Sequence, residues 1–186
     1  MSALEDTRTL LGELIGFPTV SSGSNLDMIK HLADRLAECG AEVEIWHDAT
    51  GTKANLFATL GPKRDGGIVL SGHTDVVPVA DQDWTSDPFR MEERDGKWYG
   101  RGACDMKGFI AAAVAMAPRY AALNLQRPVH FAFTYDEEIG CFGARALACF
   151  QMKPFGGLHK RPVRSCGCHH WRADLDADHR GPQGLL

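Results

Sequence analysis

The chain has 186 residues, of which 44% are apolar and 24% are charged, with 20 Lys and Arg against 24 Asp and Glu. These values are typical of a globular protein of one domain, with or without a tail. A mildly acidic chain without a basic stripe argues against a nucleic-acid partner, and no apolar helical run approaches the about 20 residues that cross a membrane. The acidic N-terminus lacks a secretory signal pattern, so we expect a cytoplasmic protein whose six cysteines are reduced.

Helix and strand signals alternate along the chain up to residue 150. In chain order the patterns predict a helix at Leu4–Ile15, a helix at Leu26–Cys39 capped by Ser24 or Asn25 and ended by Gly40, strands at Val43–Trp46, Asn55–Leu60 and Ile68–Leu70, a polar loop over residues 80–96, a helix at Met106–Leu123, a strand at Val129–Phe133 and a helix at Gly143–Phe150. The continuous apolar run Ile68–Leu70 is typical of a strand buried on both faces. This alternation predicts a layered α/β domain with a largely parallel sheet.

The composition changes near residue 150. Residues 1–150 contain 14 Lys and Arg against 21 Asp and Glu, whereas residues 151–186 contain 6 against 3. The later segment holds four of the eight histidines, and neither a strand period nor a helix period runs through it. We therefore predict an α/β domain over residues 1–150 and an atypical, unstructured tail over residues 151–186.

Residues able to carry out chemistry lie in three segments, each at the end of a predicted strand or the start of a helix: residues 71–75, 100–108 and 134–140. Ligands gather at the carboxyl ends of strands in α/β sheets, so five side chains are expected to converge there: His73, Asp75, Asp105, Glu137 and Glu138. Neighbouring carboxylates repel one another unless a cation compensates, and one imidazole among them suits zinc, cobalt or manganese. A metal site is the favoured interpretation; the alternative is that each carboxylate is a solvated loop residue.

Two further residues of segment 100–108 have weaker signals. Lys107 is expected either as a solvated lysine at the start of a helix or as the partner of a carboxylate. Cys104 is expected to be a small buried residue rather than a metal ligand.

In order and spacing, three motifs closely resemble those of the co-catalytic metallopeptidase family. They are the runs at residues 71–78 (Ser-Gly-His-Thr-Asp-Val-Val-Pro), 100–108 (Gly-Arg-Gly through Asp-Met-Lys-Gly) and 136–140 (Asp-Glu-Glu-Ile-Gly). The resemblance covers residues 4 to about 150. It implies that residues 1–150 are the N-terminal part of a zinc-peptidase-like layered catalytic domain that uses two divalent metal ions, zinc or cobalt.

The resemblance also implies a role for each candidate residue. His73 would bind one metal, Asp105 would bridge both, and Glu138 would bind the second. Asp75 would hold the His73 ring in its ligating orientation, and Glu137 would act as the general base. Asp75 and Glu137 are thus the expected catalytic residues.

The expected substrate is a small N-acylated amino acid. Residues 83–89 and 135–141 look most like family members that hydrolyse the amide bond of N-acetyl-L-ornithine to ornithine and acetate, a step of arginine biosynthesis. The alternatives within the family are removal of a succinyl group from a diaminopimelate substrate and carboxypeptidase-type or dipeptide cleavage. A further alternative is a non-catalytic metal-binding fragment.

The chain departs from the family pattern after about residue 150. Family members are much longer, and they supply another carboxylate ligand, a lid and dimerisation domain, and a second histidine ligand after the third motif. None of these is recognisable in this chain, so the family homodimer is not assumed, and the chain by itself is expected to show little or no activity. The abrupt change suggests a gene read in a shifted frame. The rival interpretation of the tail is a zinc site formed by four residues: Cys166, Cys168, His169 and His170.

Overall fold

The computed structural model describes residues 2–150, of which the last two only as backbone. The chain divides into two units, Met1–Leu147 and Ala148–Leu186, and the first of them contains the sheet and the candidate site. The predictions for residues 151–186, namely an unstructured tail, a shifted reading frame and a cysteine–histidine zinc site, lie outside the described residues. The division of the chain at residue 150 stays a prediction.

Helices occur close to the predicted positions. They are α1 (Ala3–Ile15), α2 (Leu26–Glu38), α3 (Gly108–Ala115), α4 (Ala117–Ala121) and α5 (Phe142–Phe150). A capping box begins α1, because the Ser2 hydroxyl accepts the Glu5 amide and the Glu5 carboxylate accepts the Ser2 amide. Beyond the end of α2, Gly40 takes a left-handed conformation with φ of 81°.

The predicted helix at Met106–Leu123 is interrupted. An irregular turn, Ala103–Lys107, precedes α3, and Asp105 and Met106 within it have non-helical backbone angles. Pro118 lies in the first turn of α4, where its missing N–H costs no hydrogen bond. The apolar and alanine-rich composition therefore predicted helix correctly for the middle of the segment but not for its start.

The strands are β1 (Glu42–His47), β2 (Ala54–Leu60), β3 (Ile68–His73), β4 (Glu92–Arg94), β5 (Lys97–Tyr99) and β6 (Val129–Thr134). Within the described residues, four of them form a sheet in the order β1-β2-β6-β3. The pairs β1–β2 and β2–β6 are antiparallel, and β3–β6 is parallel. The layered α/β fold is confirmed, and over the described residues the sheet is mixed, with β3–β6 as its parallel part. A tight turn at Asp95 and Gly96 joins β4 to β5 inside the predicted polar loop.

Side chains alternate between the two faces of the central strands. Leu56 of β2 and Phe131 of β6 belong to the main core, which α1, α2 and α3 cover. Phe57 and Ala132 point the other way and pack against Leu147 of α5. The sheet thus lies between helical layers, as the α/β pattern predicts.

The prediction that β3 is buried on both faces is wrong. Ile68 and Val69 are 57% and 55% exposed. The physical reason is the strand order, because β3 lies at an edge of the described sheet and is paired on one side by β6. Among the described residues, no helix combines the length and the apolar character needed to span a membrane.

Candidate metal centre

His73 ends β3 and is almost completely buried. Its ring Nδ1 lies 2.9 Å from the backbone carbonyl oxygen of Asp75, to which it donates, so Nε2 is the nitrogen that faces the site. This Nε2 lies 3.0 Å from Oδ1 of Asp105 and 3.8 Å from Oε2 of Glu137. The ring is therefore oriented by the backbone with its free nitrogen directed at two carboxylates.

Asp105 is held by the irregular turn Ala103–Lys107. The turn follows Gly102, whose φ of 81° suits glycine and whose carbonyl accepts the backbone N–H of Lys107 at 2.9 Å. The side chain of Lys107 is fully buried, and its Nζ donates to the backbone carbonyl of Phe17 at 2.7 Å. Both predicted positions of Lys107, solvated or paired with a carboxylate, are therefore wrong. Cys104, expected to be buried, is exposed.

Glu137 and Glu138 lie in the turn that follows β6. Asp136, just before them, has a left-handed backbone with φ of 55°. The N–H groups of Glu137 and Glu138 then donate to the Asp75 carboxylate at 3.0 and 3.3 Å. One ligand atom from each of His73, Glu137 and Glu138 lies within 4.8 Å of the others.

Asp75 connects these segments from a buried position. Its Oδ2 accepts the Ser21 hydroxyl at 2.6 Å, in addition to the two backbone N–H groups of the Glu137–Glu138 turn that its carboxylate accepts. The Asp75 carboxylate Oδ1 lies 3.6 Å from Nδ1 of His73, whereas the Asp75 backbone carbonyl oxygen lies 2.9 Å from the same nitrogen. The structure brings Asp75 beside His73, and its orienting role stays a prediction.

The electrostatics of the site favour bound positive charge. Burial lowers the pKa of His73, but hydrogen bonds to Asp75 and Asp105 outweigh it and raise that pKa to about 9. Burial raises the pKa of Asp75, but the adjacent His73 ring, the Ser21 hydroxyl and the two backbone N–H donors outweigh it and lower that pKa to about 2. Burial and the nearby Asp105 carboxylate raise the pKa of Glu138. The raised pKa of His73 is what a carboxylate-rich site that attracts positive charge produces.

The donor set fits a divalent metal ion. With Nδ1 as the donor to a carbonyl, a neutral His73 would direct a lone pair from Nε2 at the Asp105 carboxylate, an arrangement that needs a cation or a proton. Ligand atoms at roughly 2 Å from one zinc ion lie about 4 Å or less from each other, and His73 Nε2 and Asp105 Oδ1, which would share one ion, lie 3.0 Å apart. Imidazole with carboxylate oxygen is a donor set that zinc and cobalt accept.

All five predicted site residues are brought together by the fold. Three of them, His73, Glu137 and Glu138, have ligand atoms within 4.8 Å of one another. Asp105 lies beside this group through its contact with His73. The division of these carboxylates into metal ligands and a general base stays a prediction.

Sequence reasoning assigned no role to Ser21, Lys53 or Asp136. Asp136 was visible as part of the third motif, but its partner Lys53 is 83 residues away along the chain and carries no motif signal. Ser21 contacts Asp75 across 54 residues, and it lies in a loop without a pattern.

The layered α/β fold and the imidazole–carboxylate cluster beside its strand ends are the features to be compared with known families. The model of peptidase family M20/M25/M40 matches residues 69–182, and the chain belongs to this family. The resemblance to co-catalytic metallopeptidases is thereby confirmed. The matched range continues past residue 150, where we expected the resemblance to stop.

Curated relatives include two acetylornithine deacetylases. That of Shigella sonnei (strain Ss046) is 40% identical over 142 residues, covering 73% of this chain and 37% of that protein. That of Photorhabdus laumondii subsp. laumondii is 42% identical over 146 residues, covering 75% of this chain and 38% of that protein. The chain therefore spans a little over a third of the length of these relatives.

Solved structures agree with the fold. Human carnosine dipeptidase 1 matches with a TM-score of 0.69 and 27% identity, over 81% of this chain and 36% of that one. A metallo-carboxypeptidase of the M20 family from Sulfolobus solfataricus matches with a TM-score of 0.69 and 22% identity, over 84% of this chain and 36% of that one. The second likeness supports the fold alone.

Proposed function

We propose that the chain acts in the metal-dependent hydrolysis of the amide bond of N-acetyl-L-ornithine, giving ornithine and acetate for arginine biosynthesis. The observation that carries the hydrolytic part is the convergence of His73 Nε2 with the carboxylates of Asp105 and Glu137 at the strand ends. The acetylornithine deacetylases among its relatives support the choice of substrate. The cytoplasmic location stays a prediction.

Two divalent ions, zinc or cobalt, are part of the proposal. His73 and Glu138 would each hold one of them, and Asp105 would contact both. When bound, such ions lower the pKa of a water molecule and polarise an amide carbonyl. The contact of His73 Nε2 with Asp105 supports a shared role for these two side chains.

Glu137 is the general base in this proposal. Its side chain is 45% exposed and its Oε2 lies 3.8 Å from His73 Nε2, so the carboxylate faces both the ligand cluster and incoming solvent. Its backbone is fixed by donation to Asp75. The carboxylate takes the proton from the attacking water and returns it to the leaving amine.

One experiment tests both parts on the full chain, by cobalt stoichiometry and by acetate release from N-acetylornithine. We expect Glu137→Ala to retain cobalt while any metal-dependent acetate release falls by about 10²- to 10⁴-fold, the usual contribution of general acid–base catalysis. We expect Asp105→Ala to lose both ions, while His130→Ala, which replaces a histidine that contacts Thr59 and not this cluster, retains them.

The outcomes separate the rival interpretations. Full cobalt retention in Asp105→Ala would place the metal elsewhere, as a cysteine–histidine site in residues 151–186 requires. Loss of cobalt in Glu137→Ala would make Glu137 a ligand and not the base. Cobalt binding with little acetate release agrees with the expectation that this chain alone is hardly active, whereas absence of cobalt binding to the unchanged chain would contradict the proposal. The likeness to carnosine dipeptidase 1 makes a dipeptide the second candidate substrate, to be assayed beside N-acetylornithine and an N-succinylated amino acid.

A further inference from the structure

Lys53 and Asp136 form a buried ion pair beside the candidate metal centre. Lys53 Nζ lies 2.5 Å from Asp136 Oδ1, and the two side chains are 15% and 10% exposed. The same Nζ lies 2.5 Å from the backbone carbonyl oxygen of Ser21. Because Lys53 precedes β2, Asp136 follows β6 and Ser21 follows α1, a single ammonium group connects three distant segments.

The Asp136 end of this pair lies directly before the two candidate site residues of the turn. The left-handed backbone of Asp136, with φ of 55°, turns the chain so that the N–H groups of Glu137 and Glu138 both meet the Asp75 carboxylate. Residues other than glycine adopt this conformation when surrounding contacts hold them in it. The Lys53 ammonium is the charged contact that holds the Asp136 side chain.

The Ser21 end of this arrangement contacts the same carboxylate through the Ser21 hydroxyl. Lys53 binds the carbonyl of Ser21, and the Ser21 hydroxyl donates to Asp75 Oδ2 at 2.6 Å. Asp75 therefore receives donors from two segments, and Lys53 contacts a neighbouring group in each. Removing the ammonium would leave the buried Asp136 carboxylate without its cation and would loosen both segments.

We propose that Lys53 is a positioning residue for the metal centre. By bridging Asp136 and Ser21, it fixes the Glu137–Glu138 turn and Asp75 in the arrangement in which their neighbours His73 and Asp105 can share a metal ion. This inference rests on the proposed metal-binding function, but the order of the turn itself can be measured without metal.

The first test measures amide hydrogen exchange of residues 136–141 in the metal-free full chain. In Lys53→Met, we expect the amides of Glu137 and Glu138 to exchange about tenfold faster, as for the loss of roughly one net hydrogen bond, while β6 keeps its protection. Lys63→Met is the matched control, since Lys63 pairs with Glu42 on the surface and is 79% exposed. It should leave exchange in the turn unchanged.

The second test measures cobalt affinity of the same chains by chelator competition. We expect Lys53→Met to bind cobalt about 10- to 100-fold more weakly, as for other residues that support metal ligands. Lys63→Met should bind as the unchanged chain does. The double variant Lys53→Met with Asp136→Asn removes both charges of the pair and leaves no unpaired buried charge. If its loss of cobalt affinity is close to that of Lys53→Met alone, the two residues act as a unit.

Three results decide the inference. Unchanged exchange and unchanged affinity in Lys53→Met would overturn it. Faster exchange spread evenly through β2 and β6, in Lys53→Met and in the double variant, would also overturn it, because the pair would then stabilise the fold as a whole. If the unchanged chain binds no cobalt, the proposed function fails, and local loosening of the turn in Lys53→Met then shows only that Lys53 orders the Glu137–Glu138 turn.

Discussion

Asp75 is a buried carboxylate that accepts one hydroxyl and two backbone N–H groups and lies beside the His73 ring. A carboxylate with this many donors is strongly stabilised in its charged form, because each donor binds the charged carboxylate more strongly than it would bind the neutral carboxyl group. The same contacts hold the loop after α1 against the turn after β6. The charge of one residue therefore couples the local structure of the candidate site to the stability of the fold.

We predict that this coupling depends on pH in a defined window. The pKa of Asp75 is about 2 in the folded protein against an ordinary 3.8, so its charge adds stability above about pH 4 that is lost as the pH falls toward 2. The difference in free energy of unfolding between the unchanged chain and Asp75→Asn should shrink by roughly 2 kcal/mol across this window. Urea unfolding of metal-free protein at several pH values measures it, and a difference that does not vary with pH would contradict the prediction.

The sequence predicted those site residues that have a chemical signature next to a strand end. His73, Glu137 and Glu138 could be found because an imidazole or paired carboxylates follow an apolar run. Lys53 and Lys107 could not, since their roles depend on which distant segment packs over them. The buried Lys107 ammonium donates a hydrogen bond to the carbonyl of Phe17, which is 90 residues away along the chain. Such long-range contacts leave no local pattern.

At the scale of elements, the turn Ala103–Lys107 is what places Asp105 beside His73. Gly102 begins this turn with φ of 81°, and a Cβ added there would lie 2.8 Å from Val76 Cγ1 and 3.1 Å from Lys107 Cδ. Both the backbone conformation and the close packing therefore require glycine. Gly40, beyond the end of α2, has the same φ of 81° but nothing within 4 Å of an added Cβ.

We predict that Gly102→Ala destabilises the protein more than Gly40→Ala does. Both variants carry the cost of a left-handed alanine, about 1 to 2 kcal/mol, and Gly102→Ala adds overpacking of about 1 to 3 kcal/mol. Gly102→Ala should also weaken cobalt binding, because the turn that holds Asp105 must shift. Urea unfolding and cobalt titration of both variants measure this, and equal losses of stability would show that the packing around Gly102 yields without cost.

Strand positions followed from the sequence, but strand order did not. Residues 54–60 and 129–133 carry enough β-branched, aromatic and small apolar residues to be recognised as strands wherever they lie in the sheet. The burial of β3 was predicted from its apolar run alone, yet burial depends on whether a strand pairs on both sides. The antiparallel pairing of β2 with β6 is likewise set by long-range packing, across more than 60 intervening residues.

At the scale of the whole molecule, we expect the exposed edge of β3 to govern self-association of the chain in solution. Among the described residues, β3 pairs with β6 and has no strand on its other side, while Ile68 and Val69 are more than half exposed. An apolar edge with unpaired backbone groups favours pairing with another chain.

We predict concentration-dependent self-association that Val69→Lys reduces, because a charged edge resists strand pairing. Leu4→Lys, at a 67% exposed position on α1, is the matched control and should associate as the unchanged chain does. Sedimentation velocity over a range of concentrations measures this, and equal association of all three chains would mean that the contact between copies lies away from β3.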